Sequence, residues 1–380
     1  MEIVINVSDV LPRIAMVAGI ISNKNVMPIL DNLYFKAYSN GNIEVMGSNA
    51  ETWITSRIAA TSINLDGKEN VSFCIESSLL LQALNNLSQK QLSLVFDESQ
   101  KILTCGYAEG VFKMPYLLAD EYPMPVDVEG DVINVNANAL AYGIQKTRNT
   151  VANDTLRPQM NGIHFDFNVD RMTCVSTDGH RLALYRDAET HFDGNTDMTL
   201  PLSALQVVLK IAANQDEDNV ELTISPINAK FTFDDGCMVV TRKIEGKYPN
   251  YEAVLPKQWE DEAYLIKQET IDGLRHVMPM SNISTSLVIL DFSNAKNQTF
   301  NVSTEDIDYS RSAQEEVKCV EYKGNTFKIG FNGNYLMQAL SSFDGTQVKL
   351  LMSGATKGVL MIPADDDMDF SYLLMPTLVS

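Results

Sequence analysis

The stretch STDGHRLAL, Ser176 to Leu184, sets a hydroxyl, a carboxylate and an imidazole within five residues, the groups a nucleophilic hydrolase would use. Adjacency argues against that use. Members of a catalytic triad come from separate segments and are brought together by the fold. The chain carries no GxSxG elbow, HExxH, P-loop or GxGxxG. His164 alternates within a predicted strand, and neither His191 nor His276 has an acid and a nucleophile at informative spacing. The five cysteines, Cys74, Cys105, Cys174, Cys237 and Cys319, are odd in number and far apart, with no CxxC. Neither a disulfide framework nor a zinc site is expected, and no metal or other cofactor. The plain reading of the stretch is a turn in which Gly179 takes a positive φ and Asp178 bonds nearby backbone. That accounts for Asp-Gly and leaves His180-Arg181 unexplained. The expectation is a protein that is not an enzyme.

The elements that position these residues follow from length and pattern. A chain of 380 residues suits two or three domains. With 45% apolar and 21% charged residues and no low-complexity tract, it has the composition of packed domains. The N-terminal MEIVINVSDV alternates like a strand and has an acid at position two, unlike a signal peptide. No apolar run approaches membrane-spanning length, so a cytoplasmic protein without membrane contact is expected. The net charge of -20 opposes nucleic-acid binding if it is spread evenly.

Three segments resemble one another: NLYFKAYSNGNIEVMGSNAE from Asn32, GIHFDFNVDRMTCVSTDGH from Gly162 and LVILDFSNAKNQTFNVSTED from Leu287. Each reads as a β-hairpin closing on a small residue and then Asn49, Asp178 or Glu305, positions separated by 129 and 127 residues. Gln82 and Gln338 lie in similar strand-helix segments 256 positions apart, about twice the same period. A helical stretch opens each unit, at residues 8–21, 138–152 and 270–278. The expectation is three tandem α+β domains, 1–127, 128–256 and 257–380, each with two helices and roughly eight antiparallel strands. Proline-rich joins at Pro123-Met124-Pro125 and Pro256-Lys257 suit stiff connections.

The repeat allows the charge to be placed. The six predicted helical regions hold eight basic and four acidic side chains, so the remainder of the chain carries the acidic excess. One reading is a helical face that tolerates phosphates behind an acidic exterior. The other is the ordinary helix propensity of Lys and Arg.

STDGHRLAL, GKYPNYEAVLP (Gly246 to Pro256), MPILDNL (Met27 to Leu33), IGFNGNYLMQAL (Ile329 to Leu340) and the terminal YLLMP (Tyr372 to Pro376) occur in order from end to end. Together they are similar to the bacterial DNA polymerase III beta subunit family, the sliding clamps. The resemblance implies three copies of a DNA-clamp domain per chain and a head-to-tail homodimer that closes into a ring around double-stranded DNA. Helices would line the hole.

By motif position the resemblance also implies a pocket for short hydrophobic peptides of the replicative polymerase, the clamp loader and repair proteins. It would be built from Met160, Thr177, Gly179, His180, Arg181, Leu182, Pro249, Val254, Leu373, Met375 and Pro376. Arg181 and His180 would shape its rim. Phe112 and Met114 would meet Pro279 and Met280 of the other chain, with ordinary core packing as the alternative for these four. Lys24 matches a basic family position facing DNA, and the helical location of Lys146, Arg148, Lys210 and Arg275 adds them to that set, unless they are solvated outer charges.

The chain departs from the family at several points. Ala253 stands where a basic residue is common, the tail runs on as Thr377 to Ser380, and Pro158-Gln159 replaces an aromatic pair. Ser77-Ser78 and Leu202-Ser203 open helices at positions that are often basic. Two alternatives stand beside the clamp: a three-domain protein-binding scaffold that never encircles DNA, and a hydrolase using Ser176, Asp178 and His180.

Overall fold

The computed structural model describes residues 1–22, 25, 27–87, 90–214, 219–365 and 369–379. Among them are six α-helices: α1 (Val7–Ala18), α2 (Ser77–Asn86), α3 (Ala137–Thr147), α4 (Leu202–Ala212), α5 (Lys267–Val277) and α6 (Gly333–Ser341). Each follows directly on a strand, and apolar side chains at three- and four-residue spacing decide which face is buried. In α1 these are Val7, Val10, Ile14 and Val17; in α5 they are Ile271, Leu274 and Val277. The side chain of Asn332 caps α6 by accepting the N–H groups of Asn334 and Tyr335, which fixes the first turn of the helix and Tyr335 within it.

Packing divides the chain into two compact units, residues 1–141 with 203–243, and residues 142–202 with 244–380. The first contains a five-stranded and a nine-stranded sheet, and the second a twelve-stranded sheet. All their strand pairings are antiparallel. The expected α+β class with two helices per repeat is therefore what the chain adopts, with ten, eight and eight described strands in successive repeats.

Strand pairing aligns the repeats residue by residue. Phe35 faces Val45, Phe165 faces Cys174 and Leu290 faces Val302; on the next strand Ser56, Tyr185 and Glu315 face those same three partners. The residue four positions past Val45, Cys174 and Val302 is Asn49, Asp178 and Asp306. The expected third closing residue, Glu305, is thus one position early, since it lies inside the strand Thr299–Asp306 opposite Ser312. Thr304-Glu305 repeats the small-then-acidic pattern of Thr177-Asp178 one position ahead of Asp306, and the loop that follows Asp306 is longer. Asp306 pairs with Arg311 across four residues, whereas the N–H of Asn49 reaches Thr52 O (3.2 Å) and that of Asp178 reaches Arg181 O (3.3 Å) across two.

Repeats are also joined edge to edge within each unit. In the first unit the strand Thr52–Ala59 pairs with Met238–Arg242, placing Ile54 opposite Val239. In the second, Arg181–Asp187 pairs with Phe370–Leu374, placing Ala183 opposite Tyr372. All four residues are fully buried. The fourth strand of one repeat is thereby hydrogen-bonded to the last strand of the next.

Candidate functional site

The hairpin end of the middle repeat is built by its own side chains. Asp178 Oδ1 accepts the N–H groups of His180 (2.9 Å) and Arg181 (3.0 Å), and Oδ2 accepts Arg181 Nε at 2.9 Å. Thr177 Oγ1 donates to Arg181 O at 2.8 Å and accepts the Gly179 N–H at 3.1 Å. Gly179 has φ +89°, a conformation that strains any residue with a Cβ. Ser176 is wholly buried, and its hydroxyl donates to Thr147 O, away from the imidazole. With both Asp178 oxygens committed and the serine turned inward, the three residues cannot relay a proton, so the hydrolase reading fails on geometry.

Strand pairing then brings the chain's end beside this turn. Leu182 faces Leu373, Arg181 faces Leu374, and the Met375 N–H donates to His180 O at 2.9 Å. Leu182 and Leu373 are buried with Val175, Leu360 and Tyr248, and Tyr251 and Leu255 pack against this cluster. Tyr248 stacks on His164 with ring centres 4.4 Å apart, which gives that histidine a core role. Met160 is 2% exposed, in the short turn Pro158–Met160. Around the buried residues Val254 and Met375 stay exposed at 57% and 43%, Pro249 and His180 are exposed, and Thr177 and Pro376 are half-buried. A Cβ placed on Gly358 would stand 3.0 Å from the Met375 sulfur, so the methionine lies close along that backbone. The turn, the 249–254 segment and the strand end carry the residue types of an apolar docking site, with Val254 and Met375 open to a ligand.

Arg181 has a different place from the one expected of it. Its side chain is 10% exposed, its guanidinium bonds to Gln338 Oε1 on α6, and it lies 4.2 Å from the centre of the Tyr335 ring. Burial opposes its charge, but Tyr372 and Asp178 beside it outweigh that and raise its pKa above the ordinary arginine value. Arg181 braces the pocket from beneath and leaves the rim to His180, whose ring centre is 6.4 Å from Tyr335. The sequence reading missed Asp178, Tyr335 and Gln338 as the brace. Asp three residues before Arg in a predicted turn was the available signal.

The candidate DNA-facing residues fare unequally. Lys24 lies outside the described residues. Lys146 is 5% exposed and its ammonium is held by Ser342 O and by Asp344 Oδ1 at 2.7 Å, so it offers no free charge. Desolvation opposes ionisation of Asp344, yet hydrogen bonds from Lys146 and Tyr142 hold its pKa below the usual carboxylate value. Arg148, Lys210 and Arg275 are exposed, with Arg275 3.2 Å from Asp272. Arg148 and Arg275 line one cleft of about 430 Å³ together with Gln145 and Gln338.

Of the candidate interface residues, Phe112 and Met114 lie on Gly110–Pro115, the outer strand of the five-stranded sheet. Met114 is 3% exposed, packed in its own repeat, whereas Phe112 is half-buried. Pro279 and Met280 are exposed in the turn Met278–Met280. The long strand Arg311–Lys323 pairs along 311–318 with Thr299–Asp306, but on its other side the described pairing covers only 319–323. The tail beyond Pro376 follows another edge, with the Thr377 N–H donating to Gly330 O at 2.8 Å.

Comparison with known proteins identifies the class. Family models of the DNA polymerase III beta subunit match in chain order: the N-terminal domain at residues 1–126, the central domain at 134–250 and the C-terminal domain at 252–378. The chain belongs to the DNA polymerase III beta subunit family, and its function is that of a DNA sliding clamp, a non-catalytic subunit. It is 26% identical to the beta sliding clamp of Pseudomonas aeruginosa over 99% of both chains. It is also 26% identical to that of Staphylococcus epidermidis over 94% of this chain and 93% of the relative. Its fold matches the Thermotoga maritima DNA polymerase III beta subunit with TM-score 0.89 at 18% identity, covering both chains completely. It matches a Pseudomonas aeruginosa sliding clamp bound to griselimycin with TM-score 0.91 at 22% identity, again over the whole of both.

Proposed function

We propose that two copies of this chain close head to tail into a ring around double-stranded DNA and hold the replicative polymerase there. The carrying observation is the rule by which repeats join. Ile54 meets Val239, and Ala183 meets Tyr372. Following the ladders, the corresponding residues that among the described residues have a strand partner on one side only are Ala313 on the strand Arg311–Lys323 and Phe112 on Gly110–Pro115. Both are half-buried where their four counterparts are fully buried. Joining Ala313 to Phe112 of the partner subunit would repeat the seam, pair two open strand edges and bury both side chains. The same register sets Ser312 opposite Lys113 of the partner subunit, with Pro279 and Met280 flanking the seam.

In this reading the domains run 1–127, 128–256 and 257–380. Arg148, Lys210 and Arg275, with Lys24, meet phosphates weakly and without regard to sequence. The Met160, Leu182, Leu373, Val254 and Met375 surface takes hydrophobic peptides of polymerase, clamp loader and repair proteins, with His180, Thr177, Gly179, Pro249 and Pro376 around it. The ring works in the cytoplasm, where a net charge of -20 keeps its hold on free DNA weak and salt-sensitive.

The test is a disulfide across the seam. All five native cysteines are buried, so Lys113→Cys with Ser312→Cys adds the only exposed pair among the described residues. Oxidation should give a covalent dimer with both seams closed, while either single variant should not. A double variant that stays monomeric on oxidation contradicts the ring.

A further inference from the structure

Inside the chain, the seam between the middle and third repeats is bridged by Lys146 with Asp344 and, at the hairpin end, by one arginine. Arg181 bonds to Asp178 of its own turn, reaches Gln338 on α6 and covers Tyr335. The third repeat carries the same acid-base pair at the ladder-equivalent positions, Asp306 and Arg311. There the pair is open. Asp306 is 2% exposed, and among the described residues its Oδ1 takes only the Asn282 amide at 3.3 Å and its Oδ2 has no hydrogen-bond partner. The Arg311 guanidinium sits exposed, 5.0 Å from the Tyr309 ring centre. Ile307 and Tyr309 of the intervening loop are 81% and 64% exposed.

A buried carboxylate oxygen without a donor is costly, and an arginine five residues on in the same hairpin is the obvious group to satisfy it. What holds Arg181 in place is the helix it meets across the seam. The pairings Leu33 with Ile75 and Val288 with Phe331 set the α2 and α6 segments 256 positions apart, so Gln82 corresponds to Gln338, and both are exposed. The seam between the first and middle repeats has a different ion pair, Arg13 on α1 with Asp235, and no arginine at the hairpin end. Thr52 stands in the arginine's place, bonded to Thr241 at 2.8 Å, and α4 has buried Val207 in the glutamine's place. The hairpin arginine with its helix glutamine is therefore no general property of the repeat. It occurs at one internal seam and, half-assembled, at the free end.

We propose that Asp306 and Arg311 form a ring-closing latch: when α2 of a second copy arrives, Arg311 leaves Tyr309 and bridges Asp306 Oδ2 to Gln82 of the partner subunit. The latch rests on the head-to-tail reading above and names the side chains that lock it. Arginine suits this place because its planar fork holds two donors in fixed, separated positions and stacks on an aromatic ring, which a lysine ammonium does not reproduce.

The test is the dimer dissociation constant by dilution and analytical ultracentrifugation of the full chain. Arg311→Ala and Gln82→Ala, both at exposed positions, should each raise Kd about tenfold, roughly 1.4 kcal/mol. The double variant should raise it little further, because both changes remove one interaction, and Arg311→Lys should not restore it. An unchanged Kd in Arg311→Ala, or effects that multiply to about a hundredfold in the double variant, would overturn the latch while leaving the ring intact. A wild-type chain that does not dimerise, together with a Lys113→Cys, Ser312→Cys variant that does not cross-link, would overturn the ring and the latch together.

Discussion

Replacing Arg181 by alanine removes the brace beneath the pocket, and the structure sets the size of the effect. The guanidinium makes charge-assisted bonds to Asp178 and Gln338 and stacks on Tyr335, with Arg181 and Asp178 side chains only 10% and 16% exposed. Removing one partner of a buried pair costs about 3–5 kcal/mol. Asp178 keeps its two backbone donors, so the lower end applies, about 3 kcal/mol. In a unit of this size, each kcal/mol moves the unfolding midpoint by roughly 2–4 °C. Arg181→Ala should thus lower the unfolding midpoint of its unit, residues 142–202 with 244–380, by roughly 6–12 °C. Arg181→Lys should recover less than half, because an ammonium cannot fill the fork's places. His180→Ala, at an exposed position, should leave the midpoint in place. A shift of only about 1 °C in Arg181→Ala, below roughly 0.5 kcal/mol, would refute the brace.

Three further outcomes follow from the same geometry. Met375→Asp puts a charge on an exposed wall of the pocket, so affinity for a short hydrophobic peptide of the cognate polymerase, read by fluorescence anisotropy, should fall more than about tenfold with the fold unchanged. Arg148→Ala and Arg275→Ala should each weaken residual binding to linear DNA at low salt, and each should reduce the salt slope by about one. Burial pushes the His164 imidazole below its ordinary pKa of 6.5, with Asp197 and Asp166 opposing more weakly. The unfolded chain then binds the extra proton, so stability falls as the pH drops below about 6.5 and levels off below the folded value. In His164→Asn, denaturant titrations across that window should lose this component.

The fold was legible where periodicity and repetition are strong. The three hairpins and six helices stand out because alternation and three-four spacing are properties of single segments. Side chains whose roles arise between segments were harder to read. Lys146 looks like any helical lysine until Asp344 and Ser342 meet it, and Arg181 looks like a rim residue until α6 supplies Gln338 and Tyr335. The third closing residue was misplaced by one because two acids, Glu305 and Asp306, follow Thr304, and only the strand pairing tells which of them closes the hairpin. The pocket residues came from motif resemblance; the pairing of Leu182 with Leu373 gives the physical reason those distant motifs belong together.

The most direct test of the clamp is topological. The Lys113→Cys, Ser312→Cys protein would be mixed, reduced, with nicked circular plasmid, oxidised to seal both seams, and washed in about 1 M salt, where the Debye length is about 3 Å and phosphate contacts are screened. An encircling ring should stay on the circle through the wash and leave when the plasmid is cut once. Elution by salt from circles and linear DNA alike would contradict encirclement.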